Sequence, residues 1–470
     1  MIEIVIIGVL ALLVALLLLR VPVAIALGGA GAAGLAVLHG LNHTTNSIGA
    51  EAFSQTATFG LTIIPMFILM GMFAVRARVA EYVFAVADRA LGRLPGGLGV
   101  ATVAASAGFS AVSGSSIGTA ATMARLSVHE MRRAGYPLSL ATATVAVAGT
   151  LGSMIPPSTF LVLYAILAQQ SVAQMLAAGI LPGVLTALCY AGYLVVAGQR
   201  MQHRGQLADA LAEARTEAAG GRESSAAQAS AGQQPQRSLG AQYERLRDLP
   251  WRGLVYVGIL FTIVLGGMYS GFFTATESAA FGALAAVIIL LFELRGAGLR
   301  GIGAGIAGAL RDTASTTAMV FFIVVGSGIL SAFFVTARVP QLITDAVLSL
   351  NLPPMLVMAL LLLALVPLGM VLESLSILVI SVPLLLPLAT EFGFDAVWLG
   401  ILIVKLIEIG MVTPPVGINA FVVSGTTGVP SETVFRGILP FFAIDLLLIA
   451  VFFLWPDLIL LLPGLVTDGG

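Results

Sequence analysis

Two stretches of this chain combine hydroxyl side chains, glycine and paired proline in a way that a plain apolar helix does not need. The first is Ser106-Ala-Gly-Phe-Ser-Ala-Val-Ser-Gly-Ser-Ser-Ile-Gly118. Ser106, Ser110, Ser113, Ser115 and Ser116 offer uncharged oxygens, the ligand type that suits a weakly held Na+. If the chain turns here, N–H groups at the start of the returning half-helix face an anion. The second stretch is Gly152-Ser-Met-Ile-Pro-Pro-Ser158. Pro156 and Pro157 have no N–H, so carbonyls of the preceding turn are left without helical partners. Gly152, Ile155, Pro156 and Pro157 are therefore candidate ion or substrate ligands through their backbone.

Both features recur further along. Gly152 to Pro157 parallels Gly410-Met-Val-Thr-Pro-Pro415, and Leu94-Pro95 parallels Leu352-Pro353. Met66 to Gly71 parallels Phe321 to Gly326. Applying the offset of about 258 residues to the first turn gives Leu368-Gly-Met-Val-Leu-Glu-Ser374. The second candidate set is thus Gly326, Gly369, Glu373, Ser374, Gly410, Thr413, Pro414, Pro415 and Asn419. An acid such as Glu373, placed in a membrane, is costly and so a functional candidate. It could bind a cation, carry a proton or orient the turn. Plainer roles compete: small residues also let helices pack closely, and Pro-Pro also kinks a helix. Lys405 and Glu408, spaced i, i+3, read best as a structural ion pair. Glu277, after Thr274 and Thr276, fits a charge at a helix N-terminus, and Asp445 is left without a role.

The composition says what surrounds these residues. Of 470 residues 59% are hydrophobic and 10% charged, whereas soluble domains carry roughly a quarter charged residues. Lipid must be the solvent for much of the chain. A net charge of −1 argues against a nucleic-acid partner. The single cysteine, Cys189, excludes an internal disulfide. The four histidines are scattered, and metal-ligand spacings and a phosphate-binding GxxxxGK[ST] loop are missing. No organic cofactor, ATP hydrolysis or enzymatic activity is expected, since no nucleophile–base constellation is visible in the spans.

Spanning helices of about 20 residues are expected at 2–19, 21–40, 56–77, 138–168, 176–198, 252–270, 276–294, 315–337, 395–425 and 434–456. The first reads as a retained span and not a signal peptide. The stretches 96–130 and 353–389 are too long for one span and carry breakers at the middle, so they read as re-entrant hairpins. Amphipathic segments 78–94 and 338–351 precede them. With the N-terminus outside and each span crossing once, twenty of the twenty-two Lys and Arg fall on the inside, as the positive-inside rule requires. Arg338 lies outside, and Lys405 is intramembrane. Residues 201–249 read as a flexible cytoplasmic linker with a short helical piece near 206–219. They separate a first repeat, 1–200, from a second, 250–470. Five crossings separate the two repeat starts, so the second copy is expected upside down. The expected fold is an all-α polytopic membrane protein of two inverted repeats, each with a re-entrant hairpin and a Pro-Pro-broken helix, a plan used by secondary transporters.

At Gly108 to Met123, Gly149 to Ser158, Thr274 to Ala286 and Gly410 to Asn419 the chain resembles the DctM-like large membrane subunit of tripartite ATP-independent periplasmic (TRAP) transporters. The resemblance covers nearly the whole chain outside the 201–249 linker, which is longer than the family leads one to expect. It implies an elevator, in which hairpins and broken helices slide against a scaffold of the other spans. It implies Na+-coupled uptake of an organic acid, a dicarboxylate or sugar acid. One Na+ would lie near Ser115, Gly152 and Pro156, and another near Gly369, Gly410 and Thr413. The implied partners are a small four-helix membrane subunit and a soluble periplasmic binding protein. The implied place is a bacterial inner membrane, with both termini periplasmic. A stand-alone anion carrier of the same architecture is the competing reading; a channel or an intramembrane enzyme fits less well.

Overall fold

The computed structural model describes residues 2–19, 21–218, 249–339, 341–342, 352–370, 372, 374–415 and 417–467. Regular structure among them is helical. In chain order the helices are α1 Ile2–Leu18, α2 Val23–Thr56, α3 Ile63–Arg76, α4 Val79–Leu91, α5 Gly97–Ser113, α6 Ser116–Arg133, α7 Leu138–Met154, α8 Thr159–Leu167 and α9 Val172–Ala218. The second series is α10 Arg252–Tyr269, α11 Ala275–Leu294, α12 Gly298–Thr336, α13 Pro354–Gly369, α14 Ser374–Glu391, α15 Ala396–Val412, α16 Ile418–Thr427, α17 Ser431–Leu454 and α18 Pro456–Thr467. Among the described residues seven helical stretches are long and apolar enough to cross a membrane, eight if α7 and α8 count as one span bent by 41°. The chain is a multi-pass membrane protein.

Several elements run past the limits set by apolarity alone. α2 kinks at Gly40 (φ 79°) and continues as a polar helix to Thr56. α12 starts at Gly298, well before the apolar run at 315. α9 continues without a break to Ala218, so the helical piece expected near 206–219 is the end of the same helix, beyond its membrane-crossing stretch Val172–His203; 219–248 lie outside the described residues. α18 was not expected. Pro456 stands in its first turn, where a missing N–H costs no hydrogen bond. Of the amphipathic segments, 78–94 forms α4, whereas most of 338–351 lies outside the described residues.

One group of helices is sealed by a glycine seam. Gly28, Gly31 and Gly34 of α2 recur every three residues and face α12. A Cβ at Gly31 would fall 2.7 Å from the Leu330 Cα, and one at Gly34 2.5 Å from the Phe333 ring. Removing side chains lets the backbones touch, the usual basis of close helix packing in lipid. α3 joins this group against α11 and α12, with Arg76 paired to Asp312 at 2.6 Å. α11 opens with a capping box: the Glu277 N–H donates to Thr274 Oγ1 (3.3 Å) and the Thr274 N–H to Glu277 Oε2 (2.8 Å). Glu277 is therefore the N-terminal charge its position suggests. α4 is tied to the same group, because Tyr82 donates to Glu293 at 2.7 Å and accepts from Arg252 at 2.9 Å. Burial and then the Glu293 carboxylate push the Tyr82 phenol up to about 12.

In the second group, hairpins and broken helices from both chain halves interlock. α16 packs on α6 and α7 of the first half, and α8 packs on α14 and α15 of the second. Gly437 of α17 sits so close to α7 that a Cβ would lie 2.0 Å from the Ser139 carbonyl oxygen.

Candidate ion and substrate site

The first hairpin folds back within its own length. Thr102, near the start of α5, approaches the Met131 sulfur at 3.7 Å near the end of α6. α5 has 17 residues, about 25 Å of helix, short of a hydrocarbon core of about 30 Å. The reversal takes only Gly114 and Ser115. Gly114 has φ 58°, which a side chain disfavours, and Ser115 caps α6 by accepting from the Gly118 N–H at 3.2 Å. Ser113 and Thr119 hydroxyls meet across the turn at 2.9 Å. The expected reversal over 106–118 is thus narrower. Ser106 and Ser110 lie inside α5, fully buried, and their hydroxyls have no hydrogen-bond partner among the described residues.

This tip sits directly on the first break. Thr159 donates to the Gly114 carbonyl at 3.0 Å. A Cβ on Gly152 would fall 2.8 Å from the Ser115 backbone, so only glycine permits the contact. Ser116 and Ser153 hydroxyls are 2.7 Å apart. α7 stops because the N–H groups that Gly152 and Ser153 would accept belong to Pro156 and Pro157. Ile155 is extended at the helix end. Ser158 donates to the Ser153 carbonyl at 2.5 Å and caps α8 by accepting from the Leu161 N–H at 3.3 Å. Ser115 and Ser116 thus pack on Gly152 and Ser153, and a Cβ on Gly114 would fall 2.9 Å from the Pro157 carbonyl oxygen; Ile155 and Pro156 belong to the same break.

The second tip is built differently. α13 ends at Gly369, which packs α-carbon to α-carbon on Gly410; a Cβ on Gly410 would lie 2.5 Å from the Gly369 Cα. α15 ends where Pro414 and Pro415 remove donors, and the Thr413 hydroxyl turns back to the Ile409 carbonyl at 2.5 Å. Ser374 opens α14 as a buried hydroxyl without a partner among the described residues. Glu373 lies outside the described residues. Asn419, on α16, is fully buried; its Nδ2 approaches the Ala146 carbonyl at 3.5 Å, and its Oδ1 has no partner among the described residues. Gly326 is not at this tip. It belongs to the glycine seam, where a Cβ would lie 2.3 Å from the Ala24 carbonyl oxygen.

A cavity of about 420 Å³ lies beside the first tip, which also touches the glycine-sealed group where a Cβ on Gly71 of α3 would fall 2.7 Å from the Ser113 carbonyl oxygen. Ser115, Ser116, Gly118 and Thr159 face Ile68 and Met319 across the cavity. A second, of about 490 Å³, lies between Ser327 and Ser331 of α12 and Pro383 and Pro387 of α14. Neither is lined by a charged side chain among the described residues. An anion in the first cavity would meet hydroxyls and the N-terminus of α6, whose partial positive charge favours it.

The sequence reading did not foresee a buried ionic chain beside the first break. Lys405 lies 3.7 Å from Glu408, as the i, i+3 spacing suggests, but its closer partner is Asp445, at 2.8 Å. Tyr190 donates to the Asp445 carboxylate at 2.7 Å. Glu408 Oε1 accepts from Ser153, which links the cluster to Ser116. Side chains of Lys405, Glu408 and Asp445 are at most 3% exposed. In the sequence the Lys405–Glu408 pair was legible from its spacing and Asp445 stood as an intramembrane acid without a role, whereas Ser153 and Tyr190 gave no sign of joining them.

Comparison with known proteins is consistent along the chain. The family model "Tripartite ATP-independent periplasmic transporter, DctM component" matches residues 10–458. The C4-dicarboxylate TRAP transporter large permease protein DctM of Pseudomonas aeruginosa is 32% identical over 421 residues, 90% of each chain. The sialic acid TRAP transporter large permease protein SiaM of Vibrio cholerae is 29% identical, over 91% of this chain and 92% of its own. The crystal structure of the Alcanivorax borkumensis YdaH transporter shares the fold, with a TM-score of 0.60 at 17% identity and 90% coverage of each chain.

Proposed function

The chain belongs to the DctM component family of tripartite ATP-independent periplasmic transporters, and on that premise we propose that it carries an organic acid across a bacterial inner membrane with Na+. The observation that carries this reading is the seating of the first hairpin tip on the Gly152–Pro157 break, beside a cavity facing the glycine-sealed helices. Bare carbonyls and hydroxyls there suit Na+, and the α6 N-terminus suits a carboxylate. A cation held next to the anion would supply the positive charge that the cavity walls lack. A second Na+ is assigned to Gly369, Gly410 and Thr413.

The two-group architecture supports an elevator as the mode of transport. α5–α9 and α13–α18 form the moving unit, and the glycine-sealed helices are the stationary frame. The halves 1–200 and 250–470 are read as inverted repeats, with both termini periplasmic and the linker cytoplasmic. Relatives named for C4-dicarboxylate and sialic acid support an acid as substrate, and the tripartite family supports a small membrane subunit and a periplasmic binding protein as partners.

The test is uptake into proteoliposomes of succinate and of sialic acid, with and without an inward Na+ gradient and with and without both partners. Uptake that needs the gradient and the binding protein is expected. Equal uptake without the gradient overturns Na+ coupling. Full uptake without the binding protein replaces this reading with the stand-alone carrier.

A further inference from the structure

A serine or threonine inside a helix commonly donates to a carbonyl one turn back in the same helix. Thr336 of α12 does so with Ala332 at 2.7 Å, and Ser381 of α14 with Ile377 at 2.7 Å. Ser327 of α12 turns the other way. It is buried, and its hydroxyl donates at 2.9 Å to the carbonyl of Val379, in the α14 arm of the second hairpin. That carbonyl is available because the residue four further on is Pro383, which has no N–H to close the helical bond. A side chain of the glycine-sealed group thus supplies a donor that a helix of the other group lacks. The two faces of α12 divide the work. Gly326, Leu330 and Phe333 close on α2 in the glycine seam and fix α12 to its own group. Ser327 and Ser331 line the 490 Å³ cavity opposite Pro383 and Pro387. Ser331, one turn on, makes no hydrogen bond to α14 among the described residues.

We propose that Ser327 is a releasable latch, whose bond to the Val379 carbonyl holds the second hairpin on the frame and opens each time the two groups slide. This rests on the elevator reading above. Pro383 is half of the device, because it keeps the Val379 carbonyl from being satisfied within α14. The cavity is what makes the latch releasable. Ser54, Thr58 and Gln169 also line it, so a freed Ser327 hydroxyl has a polar space to turn into. A hydrogen bond sealed in apolar packing would have no such exit.

The experiment is double electron–electron resonance on the full chain in nanodiscs, with Cys189 replaced by serine and thermal unfolding measured alongside. Spin labels go on Phe322→Cys of α12 and Leu439→Cys of α17, both more than half exposed and one in each group. Ser327→Ala is expected to shift the ratio of latched to slid arrangement about fivefold toward the slid one, the scale of one net hydrogen bond. It should also lower the melting temperature, because the Val379 carbonyl is left without a donor. Adding Pro383→Ala restores an N–H to α14. Ser327→Ala/Pro383→Ala should therefore regain melting temperature while its distances stay shifted. Distances that recover together with stability make Ser327 merely structural and overturn the latch. Ser331→Ala, in the same cavity, should keep the parent distribution; an equal shift there assigns the effect to the cavity and overturns the latch as well. So does an unchanged distribution in Ser327→Ala when the parent shows two distances. Should Ser327→Ala not fold, Ser327→Ala/Pro383→Ala measured against Pro383→Ala makes the same comparison. One distance, identical in the parent and in every variant with and without Na+, overturns the sliding of the groups and the latch with it.

Discussion

Two atoms decide how closely the first tip approaches its break: the Gly152 Cα and the Ser115 carbonyl carbon. Gly152→Ala would put a methyl 2.8 Å from that backbone, and overpacking of this kind costs about 1–3 kcal/mol. The chain should still assemble, but the tip must lift. Uptake is expected to fall at least about tenfold with little change in melting temperature, and wild-type uptake would show that the contact is not part of the transport path. Residues of this kind were legible in the sequence because their identity acts on their own backbone. Proline removes a donor and glycine removes a Cβ wherever they stand, so Gly152, Pro156, Pro157 and Gly410 announced themselves. The ionic chain was not legible in the same way. Lys405 and Asp445 are 40 residues apart, and Ser153 and Glu408 255. Only packing brings such pairs together, and nothing local records it. Ser106 and Ser110 were placed in a turn for the opposite reason: serine is enriched in turns, yet α5 keeps both in helix.

Among the elements, the seam between α2 and α12 makes the sharpest contrast. Gly31 has no room for a Cβ, whereas Gly29 has nothing within 4 Å of where one would sit. Gly31→Ala should lower the melting temperature by several degrees, since backbone must move to admit it. Gly29→Ala should leave it unchanged or raise it slightly, because alanine favours a helix by about 0.5–1 kcal/mol. Differential scanning fluorimetry in detergent distinguishes the two, and equal responses would dismiss the seam. Helix existence was readable from apolar runs, and helix limits were not. The head of α12 is rich in glycine and arginine, which reads as a loop until tertiary packing holds it in helix. α18 went unseen for a related reason: Pro456 resembles a stop, but a helix can begin on proline as well as end before it.

The two helix groups flank the 420 Å³ cavity, which offers a direct test of the proposed sliding between them. Ile117, beside the first tip, and Met319, on α12, both line it. With Cys189 replaced by serine, Ile117→Cys and Met319→Cys together place a thiol on each wall of the cavity, and Hg2+ is used to trap the pair whenever the walls approach. Bridging should abolish uptake and added thiol should restore it; undiminished uptake with the bridge formed would rule out sliding at this surface. The interlocked halves carry a consequence for biosynthesis as well. Gly437 rests on Ser139, yet 297 residues intervene between them in the chain. At about 5–20 residues per second, a ribosome needs roughly 15–60 s to supply that partner. Ser153 and Ser116 wait in the bilayer for Glu408 over nearly the same interval. Newly inserted first halves should therefore be the vulnerable species in the cell, open to membrane proteases until translation catches up.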